Sequence, residues 1–182
     1  MNRKETTKFL SDLLIREKFS GMGKYWAREV SIDPTRSELS KRVDFMQFMP
    51  PGQTTVSAIE KGIFVCYEIK SCREDVFSGN GLNFIGEKNY IVITMQGYKD
   101  ILPDYRSGAL NEHINKLNGR KGNYGILVAM PDGADPFEEM NEPTPLETKC
   151  TWKLSTMIKC FEGLREKSMT ELLFCMLRSG KN

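Results

Sequence analysis

Gly62-Ile63-Phe64-Val65-Cys66-Tyr67-Glu68-Ile69-Lys70-Ser71 is an apolar run that closes on an acid and a base one residue apart. With a side-chain period of two, Ile63, Val65, Tyr67 and Ile69 share one face of a strand, and Phe64, Cys66, Glu68 and Lys70 share the other. A carboxylate and an ammonium on a strand this apolar cost free energy unless they pair, hydrate at an edge or hold something charged. The run therefore predicts a buried strand with a reactive end.

Downstream, Ser71-Cys72-Arg73-Glu74 has the S-x-x-E form of a capping box, so a helix is expected directly after Lys70. Ser78-Gly79-Asn80-Gly81 stops it, and the apolar run Tyr90 to Met95 reads as a fourth strand buried on both faces. Upstream, Lys24 to Ile32 and Arg42 to Met49 read as strands, with Thr54 to Lys61 as loop or the start of the next strand. Short connections join these three strands into an antiparallel meander. Thr6 to Phe19 sets Phe9, Leu10, Leu13 and Leu14 at helical spacing and ends at Gly21 and Gly23.

Past the fourth strand, Tyr98 to Leu117 predicts helical pieces around Pro103, and Tyr124 to Met130 a fifth strand. Asp135 to Glu147 is acidic and rich in proline. Cys150 to Leu164 and Thr170 to Leu177 read as helices, the second opened by Ser168-Met169-Thr170-Glu171. The expected organisation is one domain: an α/β core over 1–134, a linker or loop over 135–148, and C-terminal helices over 149–182 packed on the core. The face carrying Trp152, Leu154, Met157, Ile158, Phe161 and Leu164 is expected to pack inward, with a homodimer surface as the alternative.

The 182 residues, 40% of them apolar, suffice for one sizeable core. Twenty-six basic against 24 acidic residues leave a formal charge of +2, so any nucleic-acid surface would be a local patch. Five irregularly spaced cysteines without a CxxC pair read as reduced thiols. The polar N-terminus and the lack of an apolar run near ~20 residues give the expectation of a cytoplasmic protein with no membrane partner. A single histidine, His113, argues against a zinc hydrolase and is expected to be a solvated helix residue.

Asp44 lies in Arg42-Val43-Asp44-Phe45-Met46, flanked by apolar residues as Glu68 is. A hairpin partner would bring it near Glu68, and two adjacent carboxylates repel unless a divalent cation sits between them. Mg2+ takes oxygen ligands and completes its shell with water and phosphate oxygens. Lys70 could then orient or help deprotonate an attacking water, or offset charge on a phosphorus transition state.

Asp44 followed by Glu68-Ile69-Lys70 at a strand end resembles the PD-(D/E)XK, or restriction-endonuclease-like, nuclease superfamily. The segment from Glu68 to Phe77 is similar to the E-[IV]-K-S-x-x-x-D-[FY] stretch of its small DNA-repair-type and phage-borne members. Val43 stands where many members carry proline. The resemblance implies an αβββαβ core with a mixed central sheet flanked by helices, and Mg2+- or Mn2+-dependent phosphodiester hydrolysis in DNA. In it Asp44, Glu68 and the backbone of Ile69 hold the metal, Asp44, Glu68 and Lys70 are catalytic, and the first helix adds an acid, for which Glu5 is the candidate ahead of Glu17. It also implies nucleic-acid contacts from Ser71, Arg73, Asp75 and Lys88. The alternative is a weak or inactive nuclease-like domain that binds nucleic acid or a protein partner. The loop Ser78 to Asn89 could bring backbone amides to a phosphate or be a plain connection, and Lys116, Asn118, Arg120, Lys121 and Asn123 form either a backbone-touching cluster or a solvated loop.

Overall fold

A computed structural model describes residues 1–32, 41–52, 55–119, 123–165 and 167–179. The chain runs α1 (Arg3–Leu14) with a π-helical turn (Ile15–Phe19), β1 (Tyr25–Ile32), β2 (Lys41–Met49), α2 (Val56–Glu60), β3 (Ile63–Ile69), α3 (Arg73–Val76) and β4 (Lys88–Thr94). It continues with α4 (Met95–Ser107), α5 (Ala109–Asn118), β5 (Gly125–Pro131), α6 (Pro136–Asn141), β6 (Trp152–Ile158) and α7 (Met169–Ser179). The strands form one six-stranded mixed sheet in sequence order, β1 to β6. β1, β2 and β3 are antiparallel neighbours, β3, β4 and β5 are parallel, and β6 returns antiparallel to β5.

The alternation read in β3 sorts its side chains between the two layers. Val65, Tyr67 and Ile69 join Leu10, Leu13 and Leu14 of α1, while Phe64 and Cys66 join Leu172, Cys175 and Met176 of α7. On the α7 side of the sheet, α4 and α5 cover β4 and β5 through Ile101, Leu110 and Ile114 over Ile91, Ile93, Ile126 and Val128. Ile91, Val92 and Ile93 are fully buried, as the unbroken apolar run of β4 requires.

Several expectations are corrected. The segment read as a helix from Cys150 is strand β6, because Trp152 and Leu154 alternate with Lys153 and Ser155 and bury under α1. A register shift at Ile126/Leu127 turns Met157 and Ile158 toward the opposite core, which is why the whole run does not read as a clean alternation. Half of the acidic linker is α6, capped by Asp135 and tied to α4 by Lys99 Nζ donating to the Asn141 carbonyl at 2.8 Å. α4 runs straight through Pro103 and breaks instead at Gly108, which takes a φ of 88°. Thr55 caps the short α2 where loop or the start of a strand was expected.

α1 starts earlier than the apolar stripe implied. Asn2 and Glu5 form a reciprocal capping box, with Glu5 N donating to Asn2 Oδ1 at 3.0 Å and Asn2 N to Glu5 Oε2 at 2.8 Å. After β3 the cap also differs. α3 begins at Arg73, and Asp75, not Glu74, reaches back to accept from Ser71 N and Ser71 Oγ at 3.0 and 3.1 Å. The second predicted box keeps its serine half, Glu171 N donating to Ser168 Oγ at 3.2 Å. His113 is a helix residue as expected but only half-exposed: its ring lies 4.8 Å from that of Phe77, and its Nε2 is buried without a hydrogen-bond partner among the described residues. None of the five cysteines is in a disulfide. Among the described residues no helix is long and apolar enough to cross a membrane.

Candidate functional site

β3 ends between a strand that runs against it and one that runs with it, so its carboxyl end adjoins the first half of β2. The ladder pairs Phe45 with Tyr67, and one further step sets Asp44 opposite Glu68. Asp44 Oδ2 accepts from Ile69 N at 2.8 Å, which fixes its carboxylate at the strand end. On its other side, β1 pairs Arg28 with Phe45 and Val30 with Val43, flanking Glu29, which has a φ of 54°. A left-handed glutamate inside a strand is strained. Val43 and Met46 reach the same α7 core although an odd step separates them, so β2 departs from strict alternation across Asp44 and Phe45.

Glu68 is 1% exposed and Lys70 4%. Glu68 Oε1 accepts from Asn83 N at 3.2 Å, whereas Oε2 is buried with no hydrogen-bond partner among the described residues. Lys70 Nζ donates to the Asn80 carbonyl at 2.6 Å. Burial drives the Glu68 carboxyl well above the ordinary glutamate range; the neighbouring Asp44 adds to the rise, and Lys70 and the Asn83 amide oppose it. Burial also raises Asp44, against the Ile69 amide that favours its charge, and Glu29 adds to the rise. Burial alone would raise Asp75 too, but the Ser71 amide, Lys70 and Arg3 bring it below the ordinary range.

These groups line a cleft of about 910 Å3. α1 supplies Arg3, Lys8 and Asp12 to one side, β1 and β2 supply Arg28, Glu29, Arg42 and Asp44, and the loop after α3 supplies Asn80, Gly81 and Asn83. Three of the cations on its lip are paired with acids of the same lip: Arg3 with Asp75, Lys8 with Asp12 at 2.7 Å, and Arg42 with Glu29 at 2.9 Å.

The structure thus brings Asp44, Glu68, Ile69, Lys70 and Asp75 to one cleft. Glu5 is spent on the helix cap and lies outside the lining, as does Glu17, which is 3.7 Å from Arg16. The α1 acid that lines the cleft is Asp12. Nothing in the helical period separates it from a solvated acid paired four residues back with Lys8. Ser71 is taken up by Asp75, and Arg73 pairs with Asp104 at 2.7 Å and lies 4.9 Å over the Phe77 ring. Lys88 pairs with Val65, three residues before Glu68, and faces Glu162 at 3.8 Å. Arg120 and Lys121 of the basic cluster fall outside the described residues. Asn118 and Asn123 serve the fold by donating to the Leu82 and Phe161 carbonyls.

The two carboxylates and Ile69 offer hard oxygen donors, the chemistry that Mg2+ or Mn2+ takes. Among the described residues no group of three or more His, Cys, Asp or Glu side chains converges on a metal position. Compared with known proteins, the chain matches no family model, no curated protein and no solved structure.

Proposed function

We propose that this protein is a Mg2+- or Mn2+-dependent nuclease that hydrolyses phosphodiester bonds in DNA on a restriction-endonuclease-like core. The observation that carries this reading is the bare, buried Oε2 of Glu68 beside the Asp44 carboxylate. A buried carboxylate oxygen without a donor is costly, and a cation is the partner that would repay both acids together. The order helix, three antiparallel strands, helix, parallel strand supports the αβββαβ core that the sequence resemblance implies.

In this reading Asp44 and Glu68, with the Ile69 carbonyl, hold the cation. When bound it would polarise a phosphoryl oxygen and acidify a water. Lys70, one residue past Ile69 on the same side as Glu68, keeps its ammonium beside the reacting phosphate and offsets the charge that develops there. Arg3, Lys8, Arg28 and Arg42 bind flanking phosphates. The pairs that Lys8 and Arg42 make with lip acids are exposed and contribute little, so phosphate oxygens can replace them, and Arg3 keeps its own guanidinium exposed beside the half-buried Asp75.

A second reading, a weak or inactive nuclease-like domain that binds nucleic acid or a protein partner, draws on the lack of a third convergent acid among the described residues. One experiment separates the two. The protein is incubated with plasmid, linear, single-stranded and branched DNA and with RNA, in Mg2+, Mn2+ or chelator, beside Asp44→Asn, Glu68→Gln and Lys70→Met. Metal-dependent cleavage lost in all three variants is the expected result. Cleavage that survives all three overturns the assignment, and binding without cleavage selects the second reading.

A further inference from the structure

The residues that cover Glu68 and Lys70 are as informative as the pair itself. Asn80 to Asn83 crosses over both side chains. A methyl group on Gly81 would lie 2.9 Å from Glu68 Oε2 and 3.1 Å from Lys70 Nζ, so the backbone there passes almost in contact with both functional atoms. A hydrated divalent cation needs several oxygen ligands around it. Glu68 Oε2 is buried, and Gly81 closes one side of it to such a shell.

The two halves of this segment are held differently. Asn83 donates its backbone amide to Glu68 Oε1 at 3.2 Å and its Nδ2 to the Arg42 carbonyl at 2.8 Å, stitching the segment to β3 and β2. Leu82 is fully buried with a φ of 57°, and its carbonyl accepts from Asn118 Nδ2 of α5 at 3.0 Å. At the other half, Gly79 and Gly81 take φ of 78° and 71°, and Gly79 has open space around it. There Asn80 offers its carbonyl to Lys70 Nζ. That lysine is the cation the reaction needs.

We propose that Asn80–Asn83 is a strap closed over the Glu68–Lys70 pair, fixed at Leu82–Asn83, whose Asn80–Gly81 half lifts when the site takes its cation and phosphate. Lifting it uncovers Glu68 Oε2 and releases Lys70 from the Asn80 carbonyl in one movement. A phosphate oxygen then takes the place of that carbonyl on the ammonium. The inference rests on the metal-site reading above and adds the closed state that competes with it.

The test compares Mn2+ binding, by electron paramagnetic resonance titration, in the full chain and in Gly81→Ala and Gly79→Ala. Both glycines are left-handed, so both variants carry a similar backbone strain, but only Gly81→Ala pushes a methyl into the pair. Gly81→Ala is expected to bind Mn2+ about fivefold tighter than the unmodified protein, and Gly79→Ala to gain less, because closure competes with binding. In the unmodified protein, Mn2+ is expected to speed amide exchange at Asn80 and Gly81 and to leave Leu82 and Asn83 unchanged. Mn2+ binding that is lost in Glu68→Gln but equal in the two glycine variants, or that leaves strap exchange unchanged or slowed, overturns the strap alone. Absence of Mn2+ binding in all forms, or binding that survives Asp44→Asn and Glu68→Gln, overturns the metal reading and the strap with it.

Discussion

Among the described residues three glutamates are buried, and they are buried on different terms. Glu87 accepts from Phe64 N at 2.8 Å through one oxygen and from Arg165 at 2.6 Å through the other. Glu139 accepts from Thr144 N and Thr144 Oγ1 at 3.1 and 2.5 Å. Glu68 has a donor on one oxygen and none among the described residues on the other. A satisfied buried carboxylate pins chain to chain, as Glu87 pins the start of β3 to the segment after β6. A half-satisfied one holds free energy in reserve for a ligand. The difference sets the two structural acids apart from the one proposed to hold a cation without reference to sequence motifs.

Substituting both kinds of acid should break the comparison apart most sharply. Glu68→Gln is expected to lower Mg2+-dependent cleavage by about 10³-fold or more while leaving urea stability equal to or above that of the unmodified protein, since it removes a half-satisfied buried carboxyl. A large loss of stability would place Glu68 with Glu87. Arg165→Ala should behave in the opposite way. It strands the Glu87 carboxylate and is expected to destabilise the fold by about 3 kcal/mol in urea unfolding, with cleavage per folded molecule unchanged.

The pH dependence sharpens the comparison further. Glu68 binds its proton more tightly when folded than when unfolded, its folded value lying well above the ordinary 4.5. The metal-free protein therefore loses stability as pH rises from about 4.5 through the folded value, because over that window the native state holds the extra proton. Glu68→Gln should flatten that slope in unfolding measured with chelator, leaving the smaller part of the same sign that the raised Asp44 contributes, and Mn2+ affinity of the unmodified protein should rise across the same window, because the cation displaces the proton. The smallest effect is expected at Glu5→Ala, a loss of about 0.5–1 kcal/mol through the α1 cap, with unchanged cleavage. A fall in cleavage there would return Glu5 to the site.

The meander, the buried fourth strand and the Asp44–Glu68–Lys70 set were legible because each rests on local alternation or on a charge stranded in an apolar run. β6 was not. Its inward residues, Trp152 and Leu154, are followed by a register shift at Met157, so the apolar positions from Trp152 to Leu164 also satisfy a helical spacing. Asp12 was hidden because an acid paired four residues from Lys8 on a polar helix face looks the same wherever that face points. The Glu87–Arg165 pair spans 78 residues, and no local pattern encodes it. Pro103 misled for the opposite reason: tertiary packing of Ile101 and Tyr98 keeps α4 continuous through a residue that usually interrupts a helix.

The hydrogen bond from Asn118 to the Leu82 carbonyl joins the last turn of α5 to the fixed end of the segment over Glu68. α5 packs on β4 and β5 through Leu110 and Ile114 and contributes no residue to the cleft lining. The helix layer that covers β4 and β5 on the Glu68 face of the sheet thus also anchors the segment lying over that carboxylate, so the packing of α5 sets where the cover begins.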